Sequence, residues 1–162
     1  MKRKNDTGEK GPGTRFEDIN LEECLDCVCY EVSKTSRYVI NYYDAALRDI
    51  DLRSNQFIIL AAVANMKSTN FKNLAGFVGI DPSTLARNLT TLEKQSFVRV
   101  KSGENRREKV ISLTRKGKNK FEKAYPLWKK AQAGIIKELG KKRWRTIRGD
   151  LSDIVSITRE QD

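Results

Sequence analysis

Arg87 and Asn88 stand side by side, with Ser83, Thr84 and Thr91 three or four residues away. A guanidinium gives two parallel hydrogen bonds to a planar pair of acceptors. A carboxamide gives one and accepts one, and hydroxyls do either. This is the chemistry of recognition rather than of bond cleavage. A second candidate set is Cys24, Cys27 and Cys29, the three thiols of the chain. The chain contains no histidine, which removes the commonest general base and the commonest metal ligand. It has no Gly-rich phosphate loop, and its carboxylates fall on charged segments rather than in apolar settings that would raise a pKa. An enzyme is therefore the least supported class. Three cysteines without histidine leave a zinc or copper site one ligand short, so no metal and no cofactor are expected.

The elements around Arg87 explain how it would be presented. Asp81-Pro82 is a helix start: Asp81 can accept the open N–H groups of the first turn, and Pro82 has the φ of the first helical position. Over 82–96, Leu85, Leu89 and Leu92 form an i, i+4, i+7 apolar face, and Ser83, Thr84, Arg87, Asn88 and Thr91 form the opposite one. Upstream, Asn70 opens a short helix with Leu74, Ala75 and Val78 inward, and Gly79 ends it. Ser54 is expected to cap a helix to about Met66, apolar almost all round through Phe57, Ile58, Ile59, Leu60 and Ala61, and so interior. Downstream, 97–101 and 109–113 alternate as a two-stranded hairpin whose polar tip carries Asn105, Arg106 and Arg107. Thr114 caps the next helix, which opens on Arg115, Lys116, Lys118, Lys120 and Lys123, with a kink or restart expected at Pro126. Gly140 separates a last helix bearing Trp144, Ile147, Leu151, Ile154 and Ile157. At the other end, Asn20 caps a helix with Glu23 in capping-box spacing. Leu25, Val28, Val32, Val39, Tyr43, Ala46 and Ile50 predict that it runs unbroken to about residue 50.

Short helix, turn, helix and hairpin make a winged helix-turn-helix. In that setting the 82–96 helix fits a DNA major groove. Arg87 suits a guanine, Asn88 an adenine, and Ser83 and Thr84 a phosphate or thymine. Arg106 and Arg107 suit a narrow minor groove. Thr91, Lys101 and Asn105 complete the candidate DNA-binding set. The formal charge of +11 supports a polyanion partner. By segment it runs +1 over a basic tail at 1–20 expected to be disordered, −3 over a dimerisation helix at 21–53, +5 over a DNA-binding region at 54–113 and +8 over C-terminal helices at 114–162 expected to complete the dimerisation region. The longest apolar run is the eight residues from Phe57 to Ala64, too short for a membrane span. The basic start continues into Asn5-Asp6-Thr7-Gly8, where an export signal needs apolar residues, so a cytoplasmic protein is expected. Two alternatives remain. One is a non-specific architectural nucleic-acid binder led by the cations of 114–145. The other is a thiol or metal sensor with a vestigial DNA contact.

Tyr43-Asp44-Ala45-Ala46-Leu47, 52–57, 83–89 leading to Leu92-Glu93, and Ser112-Leu113-Thr114 with Gly117 resemble the MarR (multiple antibiotic resistance regulator) family over residues 21 to about 160. The resemblance implies a mainly α fold with a small β-wing and a homodimer in which the first and last helices of both subunits interleave. It also implies a repressor on pseudo-palindromic double-stranded DNA, released by a small effector in the cleft between the dimerisation and DNA-binding parts. Two residues depart from the family pattern. Asn105 replaces an Asp that would orient Arg107, and Ser96 stands where Gly is favoured at the end of the recognition helix. A subgroup of the family carries cysteines in this region, and related regulators sense peroxide through an N-terminal cysteine near tyrosines; Tyr30, Tyr38, Tyr42 and Tyr43 lie nearby in sequence. On one continuous helix Cys24 and Cys27 share a face, while Cys27 and Cys29 stand about 200° apart. The helix N-terminus favours a thiolate, and Glu22, Glu23 and Asp26 oppose it. Redox sensing and small apolar residues buried at a dimer interface both remain readings of these cysteines.

Overall fold

A computed structural model describes residues 14–103 and 109–159. They fall into two compact units, one reaching to Tyr38 and the other starting at Val39. In the first unit, a 3-10 turn (Phe16–Asp18) precedes α1 (Leu21–Leu25). The Asn20 side chain accepts from the Glu22 N–H at 3.1 Å and donates to Glu23 at 3.0 Å, so the expected cap is in place. The expected unbroken helix is not. α1 stops at Asp26, and α2 (Val28–Leu47) begins after Cys27 and contributes to both units. The break is closed by the Asp26 N–H donating to Glu22 O at 3.2 Å. Apolar spacing continues through it, so periodicity carries no sign of it.

The second unit holds the core. A 3-10 turn (Arg48–Ile50) ends on Asp51 at φ 47° and leads to α3 (Ser54–Met66). β1 (Thr69–Asn70), α4 (Phe71–Val78), α5 (Pro82–Lys94), β2 (Val98–Ser102), β3 (Lys109–Leu113), α6 (Arg115–Leu139) and α7 (Lys141–Arg159) follow. α3 is the central helix, as its composition predicts: Phe57, Ile59, Leu60, Ala62 and Val63 are all buried. Its cap differs from the expected Ser54. Arg53 is the cap position, the Arg53 N–H donates to Gln56 Oε1 at 3.0 Å, and the Ser54 N–H donates to Asp44 Oδ1 of α2 at 2.7 Å. Partial burial pushes the Asp44 carboxyl up, but hydrogen bonds from Ser54 and the Arg53 guanidinium outweigh it and hold it below its ordinary value.

The sheet has three antiparallel strands in the order β1-β3-β2. The expected hairpin is β2 and β3, with Val98 opposite Leu113 and Val100 opposite Ile111. The two residues of β1 add a strand that sequence spacing does not reveal, pairing Thr69 with Ile111. α6 runs unbroken with Pro126 inside it, so the expected restart does not occur. The proline withdraws one N–H from a 25-residue helix. The Phe57 ring stacks on Phe121 at 5.2 Å and on Trp128 at 5.5 Å, anchoring the helix on both sides of the proline. Farther along α6, Tyr42 of α2 donates to Ala131 O at 3.3 Å, and Tyr43 donates to Gln132. Among the described residues no helix is long and apolar enough to cross a membrane.

Candidate nucleic-acid interface

α5 is fixed in place before its outer face does anything. Asp81 caps it, accepting from the Thr84 N–H at 2.9 Å, and Pro82 occupies its first turn. Leu85 and Leu92 are fully buried and Leu89 nearly so, in one core with Leu74 of α4 and Leu60 of α3. At about 100° per residue, the leucines cluster on one side, and Ser83, Thr84, Arg87, Asn88 and Thr91 spread over the opposite arc. Ser83, Arg87 and Thr91 are exposed, and Thr84 and Asn88 are half-buried. The sequence expectation for this face therefore matches its placement.

Within that face the polar groups hold one another. The Ser83 hydroxyl donates to Asp81 Oδ1 at 2.6 Å. The Arg87 guanidinium donates to Thr84 Oγ1 at 3.1 Å, which orients a long flexible side chain. Asn88 Nδ2 donates to Thr84 O at 2.9 Å, and the Thr91 hydroxyl donates to Arg87 O at 3.1 Å. The Ser83 hydroxyl, then the hydroxyl and N–H of Thr84, hold the Asp81 carboxyl well below the carboxylate range. A carboxylate thus occupies the helix N-terminus. The cap takes the Thr84 N–H, and the side chains of Ser83, Arg87 and Thr91 are exposed beyond it.

The end of α5 is as closely defined as its start. The Phe97 N–H donates to Leu92 O and the Ser96 N–H to Glu93 O, both at 2.8 Å. This is a Schellman cap with Ser96 in the left-handed position that glycine usually fills, at φ 60°. The departure at Ser96 therefore leaves the cap intact. The serine adopts the strained conformation itself, and Thr114 Oγ1 donates to its carbonyl at 2.6 Å. Thr114 also caps α6, accepting from the Gly117 N–H at 2.9 Å. A Cβ on Gly117 would lie 1.9 Å from Phe97 O, so only glycine lets α6 start this close to the hairpin. Lys116 and Lys120 lie over the Phe97 ring at 5.4 and 5.2 Å, so two cations of the α6 cluster are engaged with the fold.

On the hairpin, Lys101 is exposed on β2, and Arg99, one pleat away on the same face, is exposed as well. Asn105, Arg106 and Arg107 lie outside the described residues. Cys24, Cys27 and Cys29 are free and exposed in the first unit. Burial in the chain's own core is therefore not their role, and the break after α1 overturns the shared face expected for Cys24 and Cys27. Among the described residues no group of three His, Cys, Asp or Glu could hold a metal ion. Arg99 lies outside the candidate set, although the alternation of 97–101 is a sequence signal that places it beside Lys101.

A short helix, a turn, a helix with a polar outer face and a β-hairpin define a winged helix-turn-helix protein. The chain belongs to the MarR family, whose sequence profile matches residues 52–109. The HTH-type transcriptional regulator SarZ of Staphylococcus saprophyticus is 35% identical over 103 residues, which is 63% of this chain and 68% of that protein. SarZ of Staphylococcus aureus is 35% identical over 92 residues, 56% of this chain and 62% of its own length. The chain thus spans under two thirds of that relative. The crystal structure of the Mycobacterium tuberculosis transcriptional regulator MosR in complex with DNA aligns with a TM-score of 0.76 at 33% identity, over 83% of this chain and 97% of MosR. These relatives are transcriptional regulators, not enzymes.

Proposed function

We propose that the protein is a sequence-specific, double-stranded DNA-binding transcriptional regulator that acts in the cytoplasm as a homodimer, in the repressor mode. The observation that carries this reading is the α5 face: Arg87, Asn88, Thr84, Ser83 and Thr91 turned outward from a helix whose other side is locked in the core. The likeness to MosR, solved with DNA, supports it. In this reading two α5 helices enter successive major grooves, about 34 Å apart. Arg87 gives paired hydrogen bonds to a guanine, and Asn88, once its amide leaves the Thr84 carbonyl, does so to an adenine. Lys101 with Asn105, Arg106 and Arg107 approaches the flanking minor grooves.

Release follows from any change that favours a spacing of the two helices out of step with the groove repeat. The candidate devices are a small ligand between the dimerisation and DNA-binding parts, and oxidation of Cys27 or Cys29, whose thiols are exposed. Peroxide titration of DNA binding with and without Cys27→Ser separates them: a loss of binding that the variant resists supports the thiol device, and an indifferent wild type removes it.

The architectural alternative draws on exposed cations outside the α5 face, such as Arg115, Lys118, Lys141 and Arg143. Selection of bound duplexes from a random pool decides between them. The regulator reading expects an inverted repeat with half-sites one helical turn apart. Recovery of unrelated sequences supports the architectural one.

A further inference from the structure

We propose that Glu93 is the positioning residue that sets the wing at its working angle to the recognition helix. The inference rests on the DNA-binding reading above. Glu93 is an acidic side chain on a helix expected to face phosphates, where a negative charge opposes binding, so its presence calls for a compensating task. The geometry supplies one. β2 is an edge strand of the sheet, and its Val100 N–H donates to Glu93 Oε1 at 3.2 Å. Val100 sits between Arg99 and Lys101, the two exposed cations of that strand. The bond therefore ties the last turn of α5 to the middle of the strand that carries the wing's basic residues.

The covalent link between the two elements is held at its root by the Schellman bonds of Phe97 and Ser96 and by Thr114. Those contacts fix where β2 begins. Pairing with β3 and the packing of Val98 and Val100 on the core hold the strand within the sheet, and a side-chain contact three residues from Phe97 ties it directly to the helix. Glu93 supplies that contact from the same helix that presents Arg87 and Asn88. Major-groove and wing contacts are thereby held in one geometry before DNA arrives.

Two neutral variants isolate the effect. Glu93→Gln removes the charge and keeps a side-chain carbonyl that can accept from Val100; Glu93→Ala removes both. The probes are two duplexes that share the half-sites recovered by selection, one with A·T-rich and one with G·C-rich flanks, compared at fixed salt. Both variants should bind tighter than wild type to either duplex through loss of the charge. Only Glu93→Ala should lose the flank preference, by about threefold to tenfold, the range one net hydrogen bond gives. Amide exchange at Val100 should quicken by a similar factor in Glu93→Ala and stay at the wild-type rate in Glu93→Gln. Equal flank preference in the two variants, or unchanged Val100 exchange in Glu93→Ala, overturns the proposal. A wild type indifferent to half-site sequence overturns the DNA reading instead, while the exchange rates still decide whether Glu93 restrains the wing.

Discussion

Leu85, Leu89 and Leu92 of α5 are buried. α7 carries Trp144, Ile147, Leu151, Ile154 and Ile157 at the same three- and four-residue steps and buries none of its residues. The spacing is equivalent and the outcome opposite. Periodicity states that a helix has a face to cover; it does not state what covers it. For α5 the cover is the chain's own core, reached across short connections from α3 and α4. α7 leaves Leu151 42%, Val155 47% and Ile157 63% exposed. The proposed dimer would give this stripe its partner. The comparison separates a helix fixed by its own fold from a surface whose cover would come from assembly.

The contrast can be broken most forcefully by cutting one leucine from each helix. Leu85→Ala should lower unfolding free energy by about 2–5 kcal/mol, whatever the protein concentration in a denaturant titration. Leu151→Ala should instead weaken dimerisation by up to about 2 kcal/mol, seen in sedimentation equilibrium as a rise in the monomer fraction. A wild type that sediments as a monomer at all concentrations contradicts the assembly half of the contrast.

Smaller effects sharpen the α5 half. Asp44→Ala removes the distant cap of α3, the helix that α5 packs on, and should lower stability by about 1 kcal/mol. The sign with pH follows from the depressed Asp44 and Asp81 carboxyls. Their stabilisation is complete above the unfolded carboxylate value of about 4 and fades as pH falls through the folded values. Melting temperature should therefore fall in acid, less steeply for Asp44→Ala than for wild type. Least of all, Ser96→Gly should raise stability by about 0.5–1 kcal/mol by relieving the left-handed serine, net of the glycine's extra freedom when unfolded. A loss at that position would contradict the strain reading of the cap.

Local signals explain what could be read from the chain. Asn70, Asp81-Pro82, Thr114 and Gly140 mark helix ends through groups within a few residues, and each sits where expected. The misses arise where a distant partner decides. Asp44, nine residues before Arg53, takes the cap assigned to Ser54. β1 exists only because β3 lies beside it. The break at Asp26 and Cys27 carries neither Gly nor Pro. The α5 face was legible because its residues are consecutive on one helix. The Glu93 contact was not, because the Val100 N–H it binds is a backbone group with no signature in the sequence.

We propose that the outer face of α5 distinguishes base pairs. It is tested most directly by the ratio of affinities for the selected duplex and a scrambled one, at fixed salt, for wild type and Arg87→Ala. Wild type should favour its site by about a thousandfold or more. Arg87→Ala should lose about 1–3 kcal/mol on that site, with the change in preference confined to one base pair per half-site. Equal wild-type affinity for both duplexes, or an Arg87→Ala ratio unchanged from wild type, would contradict the claim.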